Sequence, residues 1–426
     1  MSDGNFLANW QSFLQFARKA ALWHSSAIIF RTSLSMLIKR QLAPYLLSLA
    51  QSYSVLAITG PRQSGKTTLA KYLFPHKSYI SLEELDHRQF AEEDPRAFLG
   101  QFPQGAILDE VQRCPHLFSY LQGIVDTAKQ PGMFILTGSQ QFGLIEKITQ
   151  SLAGRVGLLE LLPFSFQELQ AANCAPATLE ELLFCGLYPP IYDKHAPPQK
   201  WYLDYTTTYL ERDVRQLINV QDLRLFHRFI QMCAMRTGQL LNLSSLATDC
   251  GISHNTARAW IGLLEASYII FLLTPHYANF NKRLIKSPKL YFYDTGLVCA
   301  LAGISESTLL TRHPMRGALF ETWVINEIVK ARFNKGLSAN IFFWRDSQGH
   351  EVDVLIEKGQ QLIPVEIKSG QTISSNYFKD LQYWQNLSHS TETSWLVYAG
   401  DQQQKRTRVS VIGWKEISQL VDDKEL

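Results

Sequence analysis

Short apolar stretches alternate with amphipathic helical patterns between about residues 54 and 165. This alternation predicts a parallel sheet with helices on both of its faces. The pattern is helical from about residue 200 to 275, returns to strand from about 281 to 293, and mixes long helices with alternating strands over the last third. For 426 residues with these changes of pattern, we expect an α/β chain of about three domains.

A complete phosphate-binding loop follows the first apolar strand, Val55 to Ile58. Its spacing, G-x-x-x-x-G-K-T, lets successive backbone N–H groups face inward and surround a triphosphate. We expect Lys66 to reach the β- and γ-phosphates and the Thr67 hydroxyl to bind Mg²⁺. The helix from Thr68 to Phe74 then completes the anion site. The predicted nucleotide-binding residues are Gly60, Pro61, Arg62, Gln63, Ser64, Gly65, Lys66, Thr67 and Thr68.

A second apolar strand, Ala106 to Leu108, ends in two acids, Asp109 and Glu110. Ligands bind at the carboxyl edge of a parallel sheet, so these acids are expected beside the phosphate loop. We expect Asp109 to hold Mg²⁺ through water and Glu110 to polarise the water that attacks the γ-phosphate. An apolar strand ending in acids is a weak pattern by itself, and its position one βα unit after the loop strengthens it.

Two further polar residues are candidates for the same site. Ser139 follows the apolar strand Met133 to Thr137 and is expected to sense the γ-phosphate or to position the water, although a simple strand-ending turn would have the same sequence. Arg155 follows Gly154 and is a candidate to stabilise charge on the γ-phosphate, either within the chain or from a neighbouring subunit. A surface salt bridge is the alternative for Arg155.

Several motifs together resemble one known family. They are G-P-R-Q-S-G-K-T-T-L, L-D-E-V-Q-R-C-P-H-L-F, L-T-G-S-Q-Q, L-A-G-R-V-G-L-L-E-L-L-P-F-S, and the segments 209–213, 286–296 and 345–353. The chain resembles, over roughly residues 36–420, the prokaryotic AAA-type ATPases that carry a C-terminal domain of unknown function. The resemblance implies an ATP-binding and ATP-hydrolysing core, a winged-helix segment and a restriction-endonuclease-like C-terminal domain. It implies no particular biological role.

The segment 243–258 has the pattern of a helix-turn-helix. An apolar helix ends at Gly251, and Ser253 is expected to cap a second helix that buries Ala257, Ile261 and Leu264. Similar folds bind the DNA major groove with this second helix. Its own cation is Arg258, and the candidates for a basic wing are Lys282, Arg283, Lys286 and Lys289. DNA contact is one interpretation, and domain packing or subunit contact is the other.

Two alternating segments near the C-terminus predict a hairpin. In the first, Val352, Val354 and Ile356 are expected on one face and Asp353 on the other. In the second, residues 362–368, Val365 and Ile367 face the core while Glu366 and Lys368 share the opposite face. Such a hairpin brings Asp353 and Glu366 close enough to share a divalent cation, with Lys368 orienting or activating a water. A solvated Glu-Lys pair on an amphipathic hairpin is the alternative.

Glu321 adds to this hypothesis from the helix 317–332, where it shares a face with Ile325 and Ile328. A carboxylate among apolar neighbours is costly unless it is paired or bound to metal. The four residues Glu321, Asp353, Glu366 and Lys368 resemble the site of the PD-(D/E)-x-K nucleases. Whether such a site cleaves phosphodiesters or only binds nucleic acid is left open by the pattern.

Composition and charge restrict the partners and the compartment that we expect for this protein. The net charge of +3 is compatible with nucleic-acid contact without arguing for it. The six cysteines are scattered without a C-x-x-C pair, which disfavours zinc fingers and a disulfide framework and fits a reducing compartment. No apolar run approaches the roughly 18 residues that span a bilayer. We therefore expect a cytoplasmic protein with no membrane partner.

The predicted organisation is a helical extension (1–35), an AAA-like P-loop ATPase domain (36–200), a helical and winged-helix domain (201–295) and a PD-(D/E)-x-K nuclease-like domain (296–426). The predicted function is Mg²⁺-dependent ATP hydrolysis that acts on, or is regulated by, nucleic acid. The alternative is a nucleotide-gated regulatory switch with an inert nuclease-like domain. ATP and Mg²⁺ are the predicted cofactors, and DNA and further copies of the chain are candidate partners.

Overall fold

The computed structural model describes residues 37–139, 151–210, 223–276, 286–389 and 392–421. Everything described from Ile38 onward belongs to one compact unit. The predicted extension 1–35 lies outside the described residues, and so do the candidate wing cations Lys282 and Arg283.

The first part of the unit alternates strands with helices. Its elements are α1 (Ala43–Leu49), β1 (Val55–Thr59), α2 (Lys66–Leu73), β2 (Ser78–Ser81), α3 (Leu85–Glu93), α4 (Pro95–Gly100), β3 (Ala106–Asp109), a 3₁₀ turn (Val111–Arg113), α5 (Leu117–Ala128), β4 (Phe134–Thr137), β5 (Val156–Glu160) and α6 (Phe166–Ala171). The five strands form a parallel sheet in the order β2-β3-β4-β1-β5, as predicted. Along β1, Val55 and Ala57 face one core and Leu56 and Ile58 face another. Burial on both faces explains the apolar runs.

The middle part is mostly helical. Its elements are α7 (Leu179–Cys185), α8 (Pro189–Asp193), α9 (Pro198–Tyr205), a π-helical turn (Thr206–Leu210), α10 (Leu223–Ala234), β6 (Gln239–Leu240), α11 (Leu243–Cys250), α12 (His254–Ala266), β7 (Ile270–Leu273) and β8 (Lys289–Phe292). The strands form an antiparallel sheet in the order β6-β8-β7. Between α11 and α12, Gly251 takes the left-handed conformation, and the Ser253 hydroxyl accepts the Thr256 N–H at 3.0 Å. Thus the local sequence sets both helix ends.

The last part contains a mixed sheet. Its elements are α13 (Thr295–Leu301), a 3₁₀ turn (Ser307–Arg312), α14 (Arg316–Asn334), β9 (Ile341–Arg345), β10 (Glu351–Lys358), β11 (Gln361–Lys368), a 3₁₀ turn (Ser375–Phe378), α15 (Lys379–Ser388), β12 (Ser394–Tyr398), β13 (Gln404–Arg406), β14 (Val409–Gly413), a 3₁₀ turn (Trp414–Glu416) and α16 (Ile417–Val421). The strand order is β13-β14-β12-β11-β10-β9. Strands β9 to β11 are antiparallel, and β11, β12 and β14 are parallel. Helices α14 and α15 contribute to different cores of this sheet.

A β-bulge in β10 corrects one prediction. The pairing with β9 shifts between Val352 and Leu355, which adds one residue to β10. Val352 therefore packs in the core that α15 lines, while Val354 and Ile356 pack in the core that α14 lines. The prediction that Val352, Val354 and Ile356 lie on one face of the strand was therefore wrong for Val352. A bulge interrupts the two-residue alternation of side chains.

One large core runs through the middle and last parts and also takes in Leu162, Phe164, Phe166 and Leu169 at the end of the first part. It includes Ala257, Ile261 and Leu264 of α12 together with Ile325 of α14 and Val365 of β11. These two parts are therefore packed as one hydrophobic body. Within the described ranges, every helix is too short or too polar to cross a membrane.

Candidate functional site

The phosphate loop leaves the buried end of β1 in a conformation that requires glycine. Gly60 has φ 141° and Gly65 has φ 94°, and a Cβ at Gly60 would clash with the Leu161 carbonyl oxygen. Gly65 is also the residue before α2, so the first turn of this helix directs its N–H groups into the loop. The structure therefore brings the predicted loop to the carboxyl edge of the sheet.

Lys66 is folded back into its own loop. Its Nζ donates to the carbonyl oxygens of Gly60 at 3.0 Å and Pro61 at 2.7 Å, and the residue is 5% exposed. Burial lowers the pKa of Lys66 to about 8, against the opposing charges of Glu110 and Asp109. The ammonium is therefore satisfied by backbone carbonyls of the loop in which it lies.

Asp109 is surrounded by hydroxyl groups. Thr67 Oγ1 donates to its carboxylate at 3.0 Å, Tyr79 donates at 2.8 Å, and Thr137 also donates. Thr67 and Asp109 therefore lie together, as the predicted Mg²⁺ site requires. Tyr79 and Thr137 were missed by the sequence reasoning, although Thr137 ends the strand that neighbours β3.

Glu110 is held in a left-handed backbone conformation, with φ 54°. Its carboxylate accepts hydrogen bonds from Gln112 Nε2 at 2.5 Å and from the Ser139 hydroxyl at 3.2 Å. Non-glycine residues in such conformations cluster at functional sites. The structure brings the predicted pair Glu110 and Ser139 together and adds Gln112, which the sequence reasoning missed. Gln140 and Gln141, which follow Ser139, lie outside the described residues.

Arg155 lies at the opposite end of the sheet. Its carbonyl oxygen accepts the Val55 N–H at 3.1 Å, at the amino end of β1, whereas the loop follows the carboxyl end. Its guanidinium pairs with Asp126 at the surface, with one N–O distance of 2.9 Å. The expected delivery of Arg155 to the γ-phosphate within one chain is wrong, and the surface salt bridge is what the structure has.

Arg40, which the sequence reasoning also missed, stabilises the phosphate loop by hydrogen bonds and an ion pair. Its Nη1 donates to the Ser64 carbonyl at 2.7 Å, its Nη2 to the Leu162 carbonyl at 2.6 Å, and its Nε pairs with Glu168 at 3.1 Å. The Glu168 carboxylate also accepts the Ser165 N–H at 2.9 Å. A buried ion pair therefore ties the loop to the start of α6.

A second cluster of charges lies in the last part of the chain. Lys368 Nζ pairs with Glu366 and lies 3.9 Å from the Asp353 carboxylate, which accepts the Ile367 N–H at 2.8 Å. Glu366 is 1% exposed, and among the described residues no hydrogen-bond partner reaches its Oε2. The structure thus brings together the predicted trio of Asp353, Glu366 and Lys368.

The carboxyl groups of this cluster are strongly perturbed. Burial raises the pKa of Asp353 to about 6, and the nearby Glu321 carboxylate adds to this effect. Burial and the Asp353 carboxylate also raise the pKa of Glu366 well above its usual value. Desolvated carboxylates of like charge favour either protonation or a bound cation.

Glu321 reaches the cluster from α14 but already has partners. Its carboxylate accepts a hydrogen bond from Tyr291 and pairs with Lys289 Nζ at 3.0 Å. Lys289 also pairs with Glu351 and is only 4% exposed. The expectation that Lys289 belongs to a basic wing was wrong, because its side chain is buried in this acidic cluster.

Each of the two clusters offers at most a partial ligand set for a metal. Over the described ranges, no group of three or more His, Cys, Asp or Glu side chains is arranged to hold a metal ion. Mg²⁺ commonly uses one or two carboxylates and keeps several waters. Thr67 with Asp109, and Asp353 with Glu366, therefore fit Mg²⁺ as partial ligand sets.

The helix pair of the middle part presents few cations. Arg258 of α12 and Lys286 are exposed, while Trp260 is buried against Phe226 and Phe229. Ala257, Ile261 and Leu264 are buried, as predicted.

Comparisons with known families divide the chain into three. An AAA domain family matches residues 52–170. A domain of unknown function, DUF8612, matches residues 176–308, and a second, DUF4143, matches residues 316–417.

Solved structures show only partial likeness. The Walker-type ATPase PABY2304 of Pyrococcus abyssi is 14% identical, with a TM-score of 0.43, and the match covers 62% of this chain and 96% of that one. RuvB of Thermotoga maritima is 18% identical, with a TM-score of 0.30, and the match covers 56% of this chain and 89% of that one.

Two mycobacterial proteins match over most of their length. They are the uncharacterized protein Mb2031c of Mycobacterium bovis and the uncharacterized protein Rv2008c of Mycobacterium tuberculosis. Each is 32% identical over 377 residues, which is 87% of this chain and 82% of the relative. The chain belongs to one family with these two proteins, and its nucleotide-binding part is an AAA-type P-loop ATPase domain.

Proposed function

We propose that the protein is a Mg²⁺-dependent ATPase whose nucleotide cycle regulates or drives action on nucleic acid. The observation that carries the proposal is the convergence of the loop, the Thr67–Asp109 pair and the Glu110–Ser139 pair at one edge of the sheet. The loop lysine, the candidate Mg²⁺ ligands and the candidate base for the attacking water, which are three of the parts that phosphoryl transfer uses, thus lie together.

The roles follow from the geometry. Lys66 leaves its two carbonyl partners and binds the β- and γ-phosphates. Glu110 accepts a proton from the attacking water, while Ser139 and Gln112 hold the Glu110 carboxylate in position. Thr67 and Asp109 would hold Mg²⁺, which neutralises charge on the phosphate oxygens when bound.

Two substitutions test this site. Lys66→Ala is expected to abolish nucleotide binding, and Glu110→Gln to retain ATP without turning it over. Equilibrium binding of a fluorescent ATP analogue and phosphate release measure the two steps separately. Arg155→Ala is the comparison variant. Both steps stay unchanged if the site is complete in one chain, and phosphate release falls if a neighbouring subunit supplies Arg155. Retained hydrolysis in both site variants would refute the assignment.

For the nucleic-acid side, we propose that α10 to β8 form a winged-helix domain and that the last part is a restriction-endonuclease-like domain. The arrangement of α11, α12 and the sheet β6-β8-β7 supports the first. The second is supported by Asp353, Glu366 and Lys368 on a bulged strand and its neighbour. Asp353 and Glu366 would hold a divalent cation, and Lys368 would orient or activate the attacking water.

A second candidate function is a nucleotide-gated switch whose nuclease-like domain does not cleave. Its supporting observation is that Lys289, Lys368 and Arg345 already pair with the acids of the cluster. Plasmid nicking with Mg²⁺ or Mn²⁺, compared between the wild type and Asp353→Ala, separates the two. Cleavage that depends on Asp353 supports the nuclease. DNA-stimulated ATP turnover without cleavage supports binding alone, and no response to nucleic acid in either assay supports the switch.

A further inference from the structure

Lys289 reaches the acidic cluster from outside the last part of the chain. It begins β8, where its backbone pairs with Leu273 and Leu240 of the middle part. Its Nζ lies 3.0 Å from Glu321 Oε1, pairs with Glu351 and lies 5.5 Å from the centre of the Phe343 ring. One buried ammonium therefore bridges two carboxylates that stand on α14 and β10.

The pairing of charges in this cluster is uneven. Four carboxylates, those of Glu321, Glu351, Asp353 and Glu366, meet the three cations of Lys289, Arg345 and Lys368. Glu321 and Glu351 are the two that Lys289 joins, and Arg345 adds a contact of 3.1 Å to Glu351. On the other side, Glu366 has a buried Oε2 without a partner among the described residues. The acceptor for a cation is thus on the Asp353–Glu366 side.

Lys289 is held in this position by two ion pairs. Its Nζ lies 3.0 Å from Glu321 Oε1 and also pairs with Glu351, and its side chain is only 5% exposed. A fixed positive charge between Glu321 and Glu351 occupies their oxygen atoms and repels a divalent cation there. At Asp353 and Glu366, the Lys368 ammonium contacts Asp353 Oδ2 and Glu366 Oε1, and Glu366 Oε2 keeps no partner among the described residues, so an oxygen is left there for a cation.

We propose that Lys289 takes the place of a second divalent cation, so that the cluster binds one such cation, on Asp353 and Glu366, and not two. This inference rests on the proposed cation site at Asp353 and Glu366. It assigns Lys289, a residue of the middle part, as a specificity-determining residue of a site in the last part. Removal of the ammonium leaves the negative charges of Glu321, Glu351 and Asp353 with less positive charge beside them, which favours binding of a second cation.

The number of Mn²⁺ ions bound per full-length chain tests the proposal. Free Mn²⁺ is measured by its electron paramagnetic resonance signal, without nucleotide, in the wild type, Lys289→Met and Lys289→Gln. We expect both variants to bind one more Mn²⁺ per chain than the wild type, because any ion at Thr67 and Asp109 adds equally to every count. Lys289→Gln keeps a hydrogen-bond donor without the charge, which gives a second variant if Lys289→Met does not fold.

Three controls make the result specific. Lys286→Met removes an exposed lysine of the same segment and is expected to leave the count at the wild-type value. Lys289→Met with Glu321→Gln is expected to return the count to the wild-type value, because a ligand of the second cation is lost. Lys289→Arg keeps a positive charge and is expected to bind as many ions as the wild type. A purely structural role of Lys289 would change the melting temperature without changing these counts.

The difference in the number of bound Mn²⁺ ions between variant and wild type tests this inference separately from the proposed function. An unchanged count in folded Lys289→Met and Lys289→Gln overturns the role of Lys289. A wild-type count that Asp353→Asn does not lower overturns the cation site at Asp353 and Glu366, whatever the lysine variants do.

Discussion

At the scale of single residues, Lys66 is buried in the loop where the proposed function places the phosphates. Its ammonium is desolvated and satisfied by two carbonyl oxygens of its own loop. Triphosphate oxygens carry full negative charges, so the exchange of carbonyls for phosphates strengthens the interaction of the ammonium.

The lowered pKa of Lys66 makes ATP binding depend on pH. Its pKa is lowered to about 8, so the free site loses its positive charge as the pH rises through 8. ATP favours the charged form, and binding at pH 8.5 therefore takes up a proton. We expect affinity to fall between pH 7 and pH 9, and calorimetry in buffers of different ionisation enthalpy to show the proton uptake. The Lys66→Arg variant should bind ATP without taking up a proton. Equal proton uptake by this variant and the wild type would contradict this account.

Gln112 is expected to act through Glu110. It donates to the Glu110 carboxylate at 2.5 Å and lies 3.4 Å from the Ser139 hydroxyl. Gln112→Ala frees the Glu110 side chain, and we expect kcat to fall roughly 10- to 100-fold, a part of what a positioned base contributes. The KM for ATP should change little, because Gln112 does not belong to the loop. A rise in KM with an unchanged kcat in steady-state phosphate release would contradict this role.

At the scale of elements, helix α6 is coupled to the phosphate loop by the buried pair of Arg40 and Glu168. Side-chain exposures are 7% for Arg40 and 0% for Glu168, so each charge depends on the other. Glu168 also completes a capping box with Ser165 at the start of α6. The position of the loop therefore depends on a helix that follows it by a long stretch of chain.

Removal of the Glu168 side chain should lower the stability of the fold. A buried charge left without its partner typically costs about 3–5 kcal/mol. We expect Glu168→Ala to lower the melting temperature clearly, as measured by circular dichroism. Asp126→Ala, which removes the exposed partner of Arg155, is the matched control and should melt like the wild type. Equal melting of the two variants would refute the structural role of the buried pair.

Local patterns predicted the elements well and their faces less well. The apolar runs of β1 and β3 and the caps at Gly251 and Ser253 depend on neighbouring residues, so they could be derived from the sequence. The bulge in β10 could not, because it arises from the pairing of β10 with β9. The two-residue period then fails at one position, and Val352 turns to the other core.

At the scale of the whole molecule, the middle and last parts share one core that also takes in Phe166 and Leu169 of α6, while the parallel sheet packs in two other cores. We therefore expect two transitions in differential scanning calorimetry rather than three. ATP at 100 times its Kd should stabilise the parallel-sheet part by about 2.7 kcal/mol and therefore raise the temperature of that transition alone. Lys66→Ala should abolish this shift. A third transition would show that the middle and last parts unfold separately.

The sequence by itself determined the parts of the protein that are built from consecutive residues. The phosphate loop, the acids at the end of β3, Ser139 and the pairing of Glu366 with Lys368 follow from local spacing, because backbone geometry fixes where near neighbours point. Tertiary structure alone decided which distant side chains meet. It brought Arg40 and Tyr79 to the nucleotide site, kept Arg155 away from it, and placed Lys289 among the acids. Sheet order and domain packing set these contacts, and neither is encoded in the spacing of residues along the chain.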